Sequence, residues 1–128
     1  MSEADLEMIG RVNDLLARGD TTAIAATLHA DVVWEHNVGT GSPEEGVYAG
    51  REDVVALLER ILQPWEQLRL EPREMQDLGD GRYLIRGEML AKHSVSDIEV
   101  AAPYEQRLEL RDGLLVKGEM TSGAVAAP

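Results

Sequence analysis

The chain has 128 residues, 24 acidic against 12 basic for a formal charge of −12, and 44% of them are apolar. That length fits one domain, 1–128, with enough apolar material for a core, and the acidic balance repels phosphate backbones and anionic lipid, so neither nucleic acid nor membrane is expected as a partner. The absence of cysteine removes disulfides, thiolate nucleophiles and cysteine-bound zinc, while the N-terminus lacks a basic-then-apolar leader and no apolar run approaches the roughly 20 residues of a membrane span, which points to the cytoplasm.

Ser2, with Asp5 three positions on, marks a helix start where the carboxylate meets the positive end of the dipole. Leu6, Ile9, Val12 and Leu16 line one face of that helix, and Gly19 stops it. Asp20 is placed to cap a second helix that turns Ile24 and Leu28 inward and ends at His29, whose ring meets the negative end of its dipole. Residues 32–36, Val-Val-Trp-Glu-His, read as a short strand. Residues 39–46, rich in glycine with Ser42 and Pro43, read as a loop. Gly50 precedes a third helix carrying Val54, Leu57, Leu58 and Ile61, and Pro64 stops it. Beyond Pro64 the apolar period changes from 3.6 to 2. Strands are expected over 68–78, 82–93, 98–110 and 114–121, with breaks at Gly79-Asp80-Gly81, 94–97 and Asp112-Gly113. The tail, 123–128, has little to fold around. Helices followed by a strand meander make an α+β domain with helices on one face of a curved sheet.

The two faces of that sheet differ in chemistry. With Arg111-Asp112-Gly113 taken as a three-residue hairpin loop, Leu110 pairs with Leu114, Leu108 with Val116, Gln106 with Gly118 and Tyr104 with Met120. Alternation adds Val100, Ala102, Tyr83, Ile85, Gly87, Met89, Ala91 and His93 to the same face. Arg82, Arg86, Glu88, Lys92, Glu105, Arg107, Glu109, Lys117 and Glu119 fall on the other, with Leu84 and Leu90 among them. The small residues Gly87, Gly118, Ala91 and Ala102 leave space on the apolar face, and a cavity between that face and the helices follows. The charged face is either solvated or paired with itself across a homodimer two-fold.

Arg18-Gly19-Asp20, Asp31-Val32-Val33-Trp34, residues 47–52 (Val-Tyr-Ala-Gly-Arg-Glu), Tyr104-Glu105-Gln106 and residues 111–115 (Arg-Asp-Gly-Leu-Leu) occur in an order and spacing that resembles the SnoaL-like families of the nuclear-transport-factor-2-like superfamily. The resemblance implies a cone-shaped curved mixed β-sheet wrapped around a pocket closed by three N-terminal helices, usually a dimer, binding a small hydrophobic molecule. That superfamily includes ketosteroid isomerases, polyketide cyclases, epoxide hydrolases and proteins without known activity, so the fold alone does not define function. The isomerase pattern has a carboxylate base where this chain has His36 and a helix tyrosine where it has Val12. Its second oxyanion donor falls at Glu105, or at Gln106 if hairpin lengths differ; alternation favours Gln106. The epoxide-hydrolase pattern finds an echo in Arg86, Glu88 and Glu119, all assigned to the charged face.

His36, beside Trp34 on the first strand, is the expected general base, with Tyr104 and Gln106 binding a developing oxyanion. Trp34, Tyr48, Tyr83, Met89, His93, Gly118 and Met120 are expected to border the ligand. No His-x-x-x-His spacing, phosphate loop or dinucleotide fingerprint occurs, so neither metal nor cofactor is expected. The resulting expectation is a pocket for a small hydrophobic molecule serving a cofactor-independent isomerase, cyclase or lyase. The alternatives are a non-catalytic binding protein, an epoxide hydrolase using Arg86, Glu88 and Glu119, and an interaction module using the charged face.

Overall fold

In a computed structural model that describes residues 2–37 and 43–122, α1 (Glu3–Ala17) begins at the expected cap. The Ser2 hydroxyl oxygen accepts from the Asp5 N–H at 3.3 Å. At the far end Gly19 takes a φ of 70°, and the N–H groups of Gly19 and Asp20 donate to the Leu16 and Leu15 carbonyls, both at 3.0 Å. Asp20 then caps α2 (Thr21–Ala25), its Oδ1 accepting from Ala23 N–H at 3.0 Å.

α2 is shorter than its apolar spacing implied. The Thr27 hydroxyl donates to the Ile24 carbonyl at 2.6 Å and closes the turn, and Leu115 N–H donates to the Thr27 carbonyl at 2.9 Å. That bond draws the next residues into the sheet, so Leu28 and His29 open β1 (Leu28–Asn37) rather than ending a helix. His29 consequently meets no helix dipole; its Nδ1 accepts from the Asp31 N–H at 3.0 Å. A strand absent from the sequence reading, β2 (Gly46–Ala49), pairs antiparallel with β1, placing Tyr48 opposite Trp34. Residues 39–42, the first half of the loop expected over 39–46, lie outside the described residues, as does the tail. α3 (Arg51–Leu62) lies where the pattern placed it, with Val54 and Leu57 buried.

β3 (Trp65–Gly79), β4 (Arg82–His93), β5 (Glu99–Arg111) and β6 (Leu114–Ser122) complete a curved, unclosed sheet in the order β2-β1-β6-β5-β4-β3. β1 and β6 run parallel and every other neighbouring pair antiparallel, so the sheet is mixed. Pro72 is tolerated within β3 because that strand is an edge and the register slips between Pro72 and Glu74. Gly87 lies opposite this bulge, where a Cβ would strike the Glu71 carbonyl. Its missing side chain therefore admits the β3 backbone and adds nothing to a cavity.

The last hairpin differs from its expected register. Asp112 and Gly113 both have positive φ, 53° and 78°, which makes a two-residue turn closed by Arg111 and Leu114. A bulge follows between Glu109 and Leu110, so Leu108 pairs with Gly118, Gln106 with Met120 and Tyr104 with Ser122. The bulge also turns Leu115 inward in place of Leu114 and Val116. Gly118 and Met120 keep the face assigned to them, because the register moved by an even number of residues. On the convex face Arg86 contacts Glu105 at 3.0 Å and Glu74 at 4.0 Å, Lys92 contacts Glu66 at 3.5 Å, and Leu84 is covered among these side chains.

Candidate functional site

The concave face of the sheet, α1 and α3 enclose a cavity of about 390 Å³. Its walls are mostly aliphatic, with Ile9, Val12 and Leu16 from α1 and Leu57 and Ile61 from α3. Space of that size and character suits a small organic molecule.

The sheet register gathers polar groups on one part of this wall. His36 pairs with Met120 across β1 and β6, and Met120 with Gln106 across β6 and β5. Residues of one row stand on one face, so His36 and Gln106 flank Met120 with backbones about 10 Å apart, two strand spacings. All three line the cavity, as does Ser122 two residues along β6. The adjacent row runs Trp34, Gly118, Leu108. The Trp34 ring fills the space a Gly118 side chain would occupy, since a Cβ there would collide with indole carbons.

Seated in this way, Trp34 Nε1–H donates to His36 Nδ1 at 3.2 Å. An indole nitrogen only donates, so the imidazole nitrogen facing it carries a lone pair and the neutral ring bears its proton on Nε2. His36 is 4% exposed, and burial pushes its pKa below the ordinary 6.5, while the charge of Glu44 pulls the other way. Among the described residues no acceptor meets Nε2, and His36 lines the cavity. The arrangement reverses the expected proton traffic. The lone pair of His36 is already engaged, and what the ring offers the cavity is an N–H.

Gln106 has a looser hold. Its amide nitrogen lies 3.9 Å from the Met120 sulfur, a weak acceptor, so its polar atoms remain available to the cavity. Glu44, half-buried ahead of β2, and Arg60 on α3 also line the cavity. Tyr48 organises both: its hydroxyl donates to the Glu44 carbonyl at 2.8 Å, and the Arg60 guanidinium lies 5.7 Å from its ring centroid.

A family model of the SnoaL-like domain matches residues 9–118. The chain belongs to the SnoaL-like family. A search of curated proteins returns no match. Among solved structures, the fold is similar to TerC co-crystallised with polyporic acid, at 24% identity over 92% of this chain and 90% of that one, with a TM-score of 0.77. It is similar to an NTF2-like protein of unknown function from Burkholderia pseudomallei, at 21% identity over 99% and 100% of the two chains, TM-score 0.79. A third similar structure, from Catenulispora acidiphila, has a ketosteroid isomerase-like fold in complex with trimethylamine, at 14% identity over 89% and 83%, TM-score 0.75. At such identities the likeness is one of fold.

This SnoaL-like protein brings together only part of the set singled out by sequence. Trp34, His36, Met89, Gln106 and Met120 line the cavity. Tyr104 does not: it is 3% exposed, its hydroxyl has no partner among the described residues, and desolvation pushes its pKa up to about 12. Tyr83 is turned to another purpose, its hydroxyl donating to Asp5 Oδ2 at 2.5 Å and tying the sheet to α1. That bond to a carboxylate raises the phenol's pKa. Tyr48 shares the face of Trp34 but does not line the cavity itself; it contacts Glu44 and Arg60, which do. His93 closes the turn after β4, its Nδ1 accepting from Val95 and Ser96 N–H at 3.2 and 3.3 Å, and its ring meets Trp65 edge-on. Gly118 seats Trp34 rather than a ligand. Arg86, Glu88 and Glu119 stand on the convex side, where Arg86 pairs with Glu105 and the Arg107–Glu119 register continues the charged rows, so the epoxide-hydrolase constellation is not assembled in the cavity. Among the described residues no three His, Asp or Glu side chains converge as metal ligands, and no helix is long and apolar enough to cross a membrane. Glu44, Arg60, Asn13 and Ser122 were missed from sequence. Only Ser122 carried a readable signal, lying two residues beyond Met120 on the same strand face.

Proposed function

We propose that this SnoaL-like protein binds a small, mostly apolar molecule in the cavity and acts on it as a cofactor-independent acid–base isomerase or cyclase. The observation that carries this reading is the row His36, Met120, Gln106, which places hydrogen-bonding groups within an otherwise aliphatic wall. In this mechanism the substrate carbonyl oxygen lies against His36 Nε2–H and the Gln106 amide. The Glu44 carboxylate takes a proton from the carbon next to the carbonyl, the electron pair of that C–H bond moves through carbon onto oxygen, and an enolate forms under two donors. Where the substrate carries a β,γ double bond the enolate is a dienolate, and return of the proton to its γ-carbon completes an isomerisation. Donors aimed at the developing charge in a dry site are worth more than the same groups in water.

Deuterium exchange at the α-carbons of cyclic ketones in D2O, followed by proton NMR, tests this. Wild type should exceed the buffer rate, Glu44→Gln should lose on the order of 100- to 10,000-fold of the excess, and His36→Gln should lose about 100-fold. A wild type no faster than buffer would favour a second reading, a non-catalytic binding protein. Engagement of the His36 lone pair by Trp34 supports that alternative, because it removes the obvious histidine base. We also propose that the convex face, with Leu84 and Leu90 among paired charges, forms a homodimer; a 14 kDa species in sedimentation at micromolar concentration would exclude it.

A further inference from the structure

We propose that Trp34 is a positioning residue that holds His36 in its Nε2–H form, so that the cavity accepts a ligand bearing an acceptor oxygen, a ketone or quinone, and discriminates against a donor-only N–H group at the same place. The selectivity half rests on the ligand reading above; the tautomer half stands on the geometry alone.

The chain of contacts runs through neighbouring strands. Gly118 on β6 leaves room for the indole, and any side chain there would displace it. The indole, on the same face of β1 as His36, brings Nε1–H to 3.2 Å from His36 Nδ1. Without that bond the two neutral tautomers of an imidazole differ little in energy, and the ring would show the cavity a lone pair or a proton as the ligand required. With it, only one tautomer keeps Nδ1 as an acceptor. A hydroxyl could accept from Nε2–H as a ketone does, whereas a ligand N–H that can only donate would have to drive the proton from Nε2 to Nδ1 and set two N–H groups against each other. One donor would then be left unsatisfied in a buried place.

The neighbours of His36 do not impose such a choice. Among the described residues Gln106 has one partner, the Met120 sulfur at 3.9 Å, and an amide can present either its oxygen or its nitrogen by rotating. Met120 and Ser122 carry no charge. The charged groups lining the same cavity are Glu44, from the segment ahead of β2, and Arg60, from α3. Glu44 is the one whose charge reaches His36. The imidazole, fixed from behind by an indole, is thus the directional element of the site.

Two-bond nitrogen–proton NMR spectra of the imidazole, together with titrations of 2-acetylnaphthalene and carbazole, whose N–H only donates, test this in wild type and in Trp34→Phe, which keeps an aromatic ring and removes the N–H. Wild type should show the Nε2–H tautomer of His36 at pH 7 and bind the ketone. The variant should show mixed tautomers, and carbazole should tighten by roughly threefold to tenfold, about one hydrogen bond, while the ketone changes little. A merely structural role for Trp34 would weaken both ligands together, and that result overturns the proposal. So does a variant that keeps a single Nε2–H tautomer. Should Trp34→Phe fail to fold, the wild-type spectrum is decisive by itself, since an Nδ1–H form or an imidazolium at pH 7 contradicts the proposed bond. Wild type binding neither probe would overturn the selectivity half together with the ligand reading, and the nitrogen spectrum would still decide the tautomer half.

Discussion

The concave and convex faces of one sheet carry polar groups under opposite rules. On the convex face Arg86 sits with its side chain 55% exposed, satisfied by Glu105, Glu74 and water alike, and each partner is replaceable. On the concave face His36 and Gln106 are buried, their few partners are specific, and one bond decides a tautomer. Alternation along β4, β5 and β6 writes both faces with the same strands. What separates them is cover: α1 and α3 remove water from one side, and desolvation raises the consequence of each hydrogen bond made or missed there.

The contrast breaks most severely at Gly87. A Cβ there meets backbone atoms of Glu71 and Pro72 that have little freedom to move. Gly87→Ala should therefore cost about 3 kcal/mol or more, read as a drop in the urea midpoint with an unchanged slope. Two tyrosines sharpen the concave side. Tyr83 and Tyr104 are 2% and 3% exposed, but only the first has a partner for its hydroxyl, Asp5. Tyr83→Phe should destabilise by about 1–2 kcal/mol, whereas Tyr104→Phe should be neutral or slightly stabilising. Equal losses in the two would show that Tyr104 also holds a partner, such as a buried water.

The third test uses pH. Burial lowers the pKa of His36 in the folded chain below its ordinary value of 6.5, so below pH 6.5 the unfolded chain binds more protons. Stability contributed by keeping this ring neutral is complete above pH 6.5 and is lost as pH falls from 6.5 through the folded pKa. Denaturation curves of wild type and His36→Gln should diverge only in that acid window. Parallel curves there would mean that the ring is not held neutral. The smallest effect belongs to the convex face: Arg86→Ala should change stability by about 0.5 kcal/mol or less, and less again in high salt. A larger loss would show this face to be buried against a second copy.

Much of the fold was legible because local chemistry and global pattern agree. Ser2, Gly19, Asp20 and Pro64 punctuate the helices where they were expected to, and alternation put Met89, Gln106 and Met120 on the inward face. β2 went unread because four edge residues carry too short a pattern. Leu28 and His29 were read as helix because their spacing fits one, and pairing with a strand nearly 90 positions away overrode it. Glu44 escaped because it sits in a glycine- and serine-rich stretch with no periodicity to aim it.

The sequence by itself determined the inward faces of β4 and β5, the places where most elements break and the family, because these follow from period and from the backbone demands of glycine and proline, which act over a few residues. Only the tertiary structure decided what the inward residues do. It joined Gly118 to Trp34, Trp34 to His36 and His36 to the cavity, left the Tyr104 hydroxyl without a partner among the described residues, and gave Tyr83 to Asp5. Those outcomes depend on contacts between residues far apart in sequence, Gly118 with Trp34 and Tyr83 with Asp5, and on a bulge that reset one hairpin, and a one-residue change in register is enough to undo them.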